Sequence, residues 1–351
     1  MPDSMLALVV EAPGRFEVRS VPVPQPGPME VLCRVRAVAI CGTDPHIIEG
    51  HHIGHWPKAW PYIPGHEWSG EVVALGPGVE GFGWRVGDRV AGTSHVGCGY
   101  CLMCRSGRYN LCENYGREDL GHRQYGHYSQ GAYAEYVVHN IKSVFRLPDA
   151  ISFDEGALVD TVSIALWSAK RGRINAGDTV AVVGAGPMGI LVGQCAFALG
   201  AARVVMVGSG ERLRRSAPYA TWTVDYRAED PVARVRELTG GGAHVSIDCA
   251  GTKDSIEQAV AMTRKGGRVV FTGVPHQPAE LPMQKIVLEE LDLYGVRANR
   301  NTCEESIALM ETGRIDVKGL ITHHFPLTEY RRAYEVFTQR IDGALKVIVH
   351  P

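Results

Sequence analysis

Two rhythms along the chain predict an α/β protein in two parts, a mainly-β unit with long loops and a doubly wound parallel sheet. From Met5 to about Arg146, short Val-rich runs at 31–39, 71–75 and 89–91 alternate with Gly- and Pro-rich stretches, as in a compact β unit. After about Phe153, short apolar runs at 179–183, 203–207, 244–248, 268–272 and 291–296 alternate with helical stretches, which is the pattern of parallel strands with crossover helices. Length supports the division, because 351 residues are more than one hydrophobic core usually holds.

The remaining elements follow in order. Residues 303–311 and 329–340 read as helices, and 345–349 as a last strand. That strand lies too far past the α/β part to be needed by it, so it is expected to return to the N-terminal part. The predicted limits are 1–155 for the β domain, 156–299 for the α/β domain and 300–351 for the returning segment.

Composition narrows the function. An apolar content of 45% with 21% charged residues is ordinary for a globular chain and excludes a fibrous or wholly disordered one. A net charge of −2 without long runs of one sign builds no field for nucleic acid, which leaves a small molecule as the expected partner. The opening Met1-Pro2-Asp3-Ser4 has no basic segment leading into an apolar core, and no run approaches the ~20 apolar residues of a membrane span. A cytoplasmic protein without membrane attachment is expected. Nine cysteines, an odd number without a secretion pattern, then suggest thiols and metal ligands rather than disulfides.

Four of them, Cys98, Cys101, Cys104 and Cys112, are spaced so that one short loop can fold four thiolates around a point. Tetrahedral zinc suits that set, and a closed site of this kind is structural. Iron–sulfur ligation also uses four cysteines, but this spacing does not match the ferredoxin runs and no Pro follows Cys112.

A second metal site needs residues from further apart. Cys41, His66 and Glu67 together supply a soft thiolate, an imidazole and a carboxylate, the mix of a catalytic zinc with an open position. Asp160, an acid in the otherwise apolar stretch 156–166, is a candidate for a further ligand or for a carboxylate just behind the ligands. A Lewis acid there would make an alcohol easier to ionise before hydride leaves. Thr43 and His46 lie close behind Cys41 and could relay the lost proton to solvent. The plainer reading makes Thr43 a turn residue and His46 a surface residue. His51, His52 and His55 are read as loop residues.

The apolar run 179–183 leads into Gly184-Ala185-Gly186-Pro187-Met188-Gly189 and an apolar helix, a strand, turn and helix that together mark a dinucleotide site. Gly184 permits the tight turn, Gly186 lets the backbone approach a pyrophosphate, and Gly189 lets the helix pack on the strand. Pro187 and Met188 open the helix, whose free amides bind phosphate. Where a site that prefers NAD normally carries an acid, this chain has Gly208-Ser209-Gly210-Glu211-Arg212. Room for a 2′-phosphate, with Ser209 and Arg212 as donors, favours NADP over NAD, although Glu211 could take the acid's role after a shift.

Taken together, these residues resemble the medium-chain, zinc-dependent alcohol dehydrogenase superfamily over essentially the whole chain. Further landmarks are Gly156-Ala157-Leu158 and the run Leu320-Ile321-Thr322-His323-His324-Phe325-Pro326-Leu327. The resemblance is closest to the polyol, sorbitol-type branch and to the threonine dehydrogenases. It implies a GroES-like catalytic domain built from the first and last parts of the chain, a Rossmann domain in the middle, a cleft between them, and a homodimer or homotetramer. By position it implies catalytic zinc at Cys41, His66 and Glu67, a proton relay through Thr43 and His46, and a second, structural zinc in the cysteine loop. Asp160 falls where polyol enzymes usually place a Glu followed by Pro, but here Thr161 follows. The segment 51–62, with Trp56 and Trp60, looks long for that branch and is expected to shape the substrate pocket.

The expected reaction is hydride transfer between a nicotinamide cofactor and a secondary alcohol or its ketone, of polyol or sugar type. Threonine dehydrogenase or simple alcohol and aldehyde dehydrogenase activity is the alternative. A zinc-free quinone reductase would not need Cys41, His66 and Glu67 together, and a non-catalytic nucleotide-binding protein would have no use for a proton relay.

Overall fold

The computed structural model describes residues 2–51, 57–275 and 277–351. Strands β1 (Ser4–Ala12) and β2 (Arg15–Pro22) form an antiparallel hairpin. Next come β3 (Glu30–Ala39), helix α1 (Thr43–Glu49), β4 (Glu67–Leu75) and β5 (Arg89–Gly92), with β4 antiparallel to both other strands. The strand expected over 71–75 thus starts four residues earlier and includes Glu67, a charged start that no apolar alternation reveals. Short strands β6 (His95–Val96) and β7 (Arg123–Gln124) pair at the base of the cysteine loop, which carries α2 (Leu102–Arg105). β8 (Tyr136–Asn140) adds to β3, and β9 (Val144–Arg146) adds to β5. α3 (Phe153–Gly156) follows, started by a reciprocal cap between Ser152 and Glu155.

The α/β part begins with α4 (Val159–Arg171), β10 (Thr179–Val183), α5 (Pro187–Ala198), β11 (Arg203–Gly208) and α6 (Gly210–Ser216). It continues through β12 (Trp222–Asp225), α7 (Pro231–Thr239), β13 (Ala243–Asp248), α8 (Lys253–Ala261), β14 (Thr263–Phe271), α9 (Met283–Leu288) and β15 (Asp292–Gly295). The strands lie in the order β12-β11-β10-β13-β14-β15, and every neighbouring pair is parallel. Order reverses beside β10, which is the switch point where open sheets of this kind bind nucleotides. All five β10 residues are buried, as a central strand covered on both faces requires.

The tail supplies α10 (Cys303–Glu311), β16 (Ile321–Pro326), α11 (Tyr330–Gln339) and β17 (Lys346–His350). β17 runs parallel to β16 and antiparallel to β3, giving a seven-stranded sheet of order β16-β17-β3-β4-β5-β9 with β8 also on β3. Its core includes Val31, Val35, Val38, Trp68, Val72, Val90, Tyr133, Tyr330, Val347 and Val349. The chain divides into two compact units, one of Met1–Thr161, Cys303–Glu311 and Val317–Pro351, the other of Val162–Thr302 and Thr312–Asp316. Among the described residues, no helix is long and apolar enough to cross a membrane.

Candidate metal centres and dinucleotide turn

Strand register builds the inner centre. Ala39, the last residue of β3, pairs with Glu67, the first of β4, so Cys41 beyond one strand end meets His66 before the other. Ile40 N–H donates to Val347 O at 2.9 Å, which brings the neighbouring Lys346 level with Cys41. Gly65 turns the chain into His66 with φ +97°, and a Cβ there would lie 2.9 Å from Tyr133 N, so only glycine fits. One ligand atom each from Cys41, His66 and Glu67 lies within 4.8 Å of the other two.

Around these three the structure adds charges of both signs. Asp44, fully buried on α1, accepts from Cys41 N–H at 2.8 Å and from Tyr133 Oη at 2.7 Å, and its Oδ1 lies 3.5 Å from His66 Nδ1. No hydrogen bond joins these two atoms, so Asp44 acts on the imidazole through its charge. Lys346, only 4% exposed, pairs with Glu67. Burial would raise Glu67, but Lys346 and His66 hold it below the usual carboxylate range. Burial would likewise lower His66, yet Cys41, Asp44 and Glu67 push it up to about 10. A field that favours an imidazolium so strongly also favours a divalent cation, and the donor set of sulfur, nitrogen and oxygen suits zinc.

Asp160, 2% exposed in the first turn of α4, accepts from the Ser94 N–H. Burial pushes it up to about 6, with His66 and Glu67 close enough to act on it. Its carboxylate is outside the trio of ligand atoms within 4.8 Å of one another. Thr43 Oγ1 is buried with no hydrogen-bond partner among the described residues. His46 lies three residues on along α1, on the same face as Thr43. Of the pocket segment 51–62, His52, His55 and Trp56 lie outside the described residues, while Trp60 packs edge-on to Tyr62 and His51 is exposed beside Glu49.

Sequence reasoning passed over Asp44, Tyr133 and Lys346. Lys346 carried a usable signal, because a lone cation in the apolar strand 345–349 needs a buried partner, the argument that singled out Asp160.

The cysteine loop closes on itself. Cys98 and Cys104 sulfurs are 3.9 Å apart, as are those of Cys101 and Cys112. Four sulfurs at about 2.3 Å from zinc in a tetrahedron stand about 3.8 Å from each other, so the loop has the dimensions of a zinc site. Backbone N–H groups of Tyr100 and Cys101 point at Cys98 Sγ at 3.4 Å, and Asn114 Nδ2 at 3.3 Å. Burial opposes ionisation of Cys98, but those donors bring it down to about 6, while burial lifts Cys104 to about 12. All nine cysteines are free of disulfides.

The dinucleotide turn lies at the switch point. Gly184 has φ +111°, and a Cβ on Gly189 would fall 1.8 Å from Gly184 O. A Cβ on Gly186 would meet only Arg212 Nη1, at 3.8 Å, so that glycine leaves open the space a pyrophosphate needs. The same distance brings the Arg212 guanidinium over the turn. Ser209 Oγ donates to Tyr226 Oη at 2.9 Å, and Glu211 is held by Arg214 at 2.6 Å and Arg215 at 3.2 Å. Gly208 packs on Ala185, whose Cβ would be 2.5 Å from a Cβ at 208.

Known proteins resemble this chain along its whole length. The family model for an alcohol dehydrogenase GroES-like domain matches residues 27–149, and that for a zinc-binding dehydrogenase matches residues 187–312. A sorbitol dehydrogenase of Bacillus subtilis (strain 168) is 33% identical over 100% of this chain and 98% of its own length. A solved structure from Sinorhizobium meliloti 1021, described as a zinc-binding dehydrogenase bound to NADP, has a TM-score of 0.90 and 32% identity over 100% of both chains. A short chain alcohol dehydrogenase from Escherichia coli CFT073, complexed with NADH, has a TM-score of 0.91 and 28% identity, again over 100% of both chains.

Proposed function

The chain belongs to the zinc-dependent alcohol dehydrogenase family, on its sorbitol-type branch, and on that premise we propose that it interconverts a secondary alcohol of polyol or sugar type with its ketone. It is an oxidoreductase acting on CH–OH donors with zinc and a nicotinamide cofactor. The observation that carries the finer reading is the meeting of Cys41, His66 and Glu67, with ligand atoms within 4.8 Å of one another, beside the buried carboxylate of Asp44.

These three would hold a catalytic zinc, which when bound supplies Lewis acidity at the alcohol oxygen. Asp44 adds negative charge beside His66, Lys346 balances Glu67, and Asp160 adds a further carboxylate near both ligands. Thr43 Oγ1, which has no partner of its own among the described residues, accepts the alcohol's proton and passes it to His46 and solvent. Cys98, Cys101, Cys104 and Cys112 would hold a second, structural zinc.

For the cofactor we favour NADP. Arg212 stands over the glycine turn, Ser209 follows Gly208 at the end of β11 as a second donor, and Glu211 is engaged by two arginines and so kept from the ribose. A homodimer or homotetramer in the cytoplasm completes the proposal. Exposed Val274, Met283, Val287 and Leu288 near the edge strand β15 support assembly, and nine cysteines without a disulfide fit a reducing compartment.

The test is nicotinamide absorbance with sorbitol, other polyols, sugars, simple secondary alcohols and threonine against both cofactors. The expected result is highest kcat/KM for a polyol with NADP. Turnover of threonine alone overturns the substrate class, and a clear preference for NAD assigns the ribose contact to Glu211.

A further inference from the structure

β16 and β17 run parallel with Pro326 opposite His350 and His324 opposite Ile348, so His324 and His350 share one face of the sheet. Their rings stack with centroids 5.5 Å apart and planes 4° from parallel. Asp154, from α3, reaches both, with Oδ1 at 2.8 Å from His350 Nε2 and Oδ2 at 3.5 Å from His324 Nδ1. One ligand atom from each residue lies within 4.8 Å of the other two. The proposed catalysis uses none of the three.

We propose that Asp154, His324 and His350 form a third metal site that takes a divalent transition ion, zinc above all, and ties the end of β17 to β16 and α3. Two imidazoles and one carboxylate suit zinc, copper, nickel or iron and are a poor set for magnesium or calcium. Ligand atoms around zinc stand about 3.3 Å apart, so small side-chain rotations close the set while the sheet holds both histidine backbones. His324 is 50% exposed and His350 38%, which leaves water free to complete the coordination. An arriving ion displaces the proton shared by His350 and Asp154, and its charge is met by the carboxylate. The clamp bears on the catalytic unit because His350 ends the strand that begins with Lys346, the partner of Glu67.

The site stands apart from the Cys41 centre and the cysteine loop, so it is tested on the protein with its tightly held zinc in place. Titration of that protein with zinc chloride in a calorimeter is expected to show a further saturable binding event and a rise in melting temperature. His324→Ala is expected to abolish both. His350→Gln keeps a hydrogen bond to Asp154 but is expected to weaken binding by at least about tenfold, the least that disturbing a metal's surroundings usually causes. Turnover without added zinc is expected to be unchanged in both variants. Absence of the further event, or its persistence unchanged in the His324→Ala, His350→Gln double variant, overturns the proposal.

Discussion

The cysteine loop and the Cys41 centre gather similar ligands by opposite means. Within the loop, all four sulfurs come from residues 98–112, and backbone N–H groups a few residues away stabilise them. At the inner centre the ligands sit at two strand ends, Lys346 arrives from the far end of the chain, and the ionisable groups are almost wholly buried. The loop needs little beyond its own chain to make the site, whereas the inner centre depends on sheet register and on the balance of buried charge.

The sharpest way to break that contrast is to remove one ligand from each. Cys41→Ala is expected to cut turnover by at least about 10³-fold, the several kcal/mol that a Lewis acid supplies, while the melting temperature stays nearly constant. Cys101→Ala is expected to lower the melting temperature, because a closed site contributes folding energy directly. Equal destabilisation by both would erase the distinction.

Lys346→Met probes the charge balance. In zinc-free protein it leaves Glu67 buried without its cation, which is expected to destabilise the fold by about 3–5 kcal/mol in urea unfolding. Adding Glu67→Gln should restore part of that loss. If the single variant unfolds like the unmodified protein, the inner centre does not rest on that pair.

His46→Gln separates chemistry from structure at the same centre. A loss of about 10²-fold in turnover with a changed pH profile and unchanged zinc content is expected of a proton relay. Rates equal to the unmodified enzyme at every pH would leave His46 as a surface residue.

The smallest effect contrasts His66 with His139, two buried histidines with opposite shifts. His139 accepts from Trp68 Nε1 at 3.2 Å and stacks on Tyr125, and burial without a nearby charge brings it down to about 3. Between that value and the 6.5 of an unfolded histidine, only the unfolded chain takes up the proton. Its stabilising contribution is therefore complete above pH 6.5 and lost as the pH falls, by about 2 kcal/mol at pH 5. His139→Gln, which keeps an acceptor for Trp68, should flatten the fall of stability between pH 7 and pH 5. An unchanged slope would assign that acid sensitivity to other groups.

Much of this was readable from local pattern. The glycine turn after β10 stands out because Gly184, Gly186 and Gly189 act within one turn, each for a reason of its own. The cysteine spacing is legible for the same reason, as its geometry closes inside one loop. Reading Gly208 only as a lost acid was incomplete, since its contact with Ala185 also excludes a side chain, and that neighbour is 23 residues away.

By itself the sequence determined what depends on residues near one another along the chain: two secondary-structure rhythms, one four-thiolate loop, one phosphate turn, and the residue types of an open metal centre. Only the tertiary structure decided that β17 sets Lys346 against Glu67, that Asp44 faces His66, and that Asp160 comes near His66 and Glu67. The physical reason is the range of the forces involved. Turns and closed loops are selected by local sterics and hydrogen bonds, but which buried charges face one another is fixed by strand register, and register is decided only when distant strands pair and bury a common core.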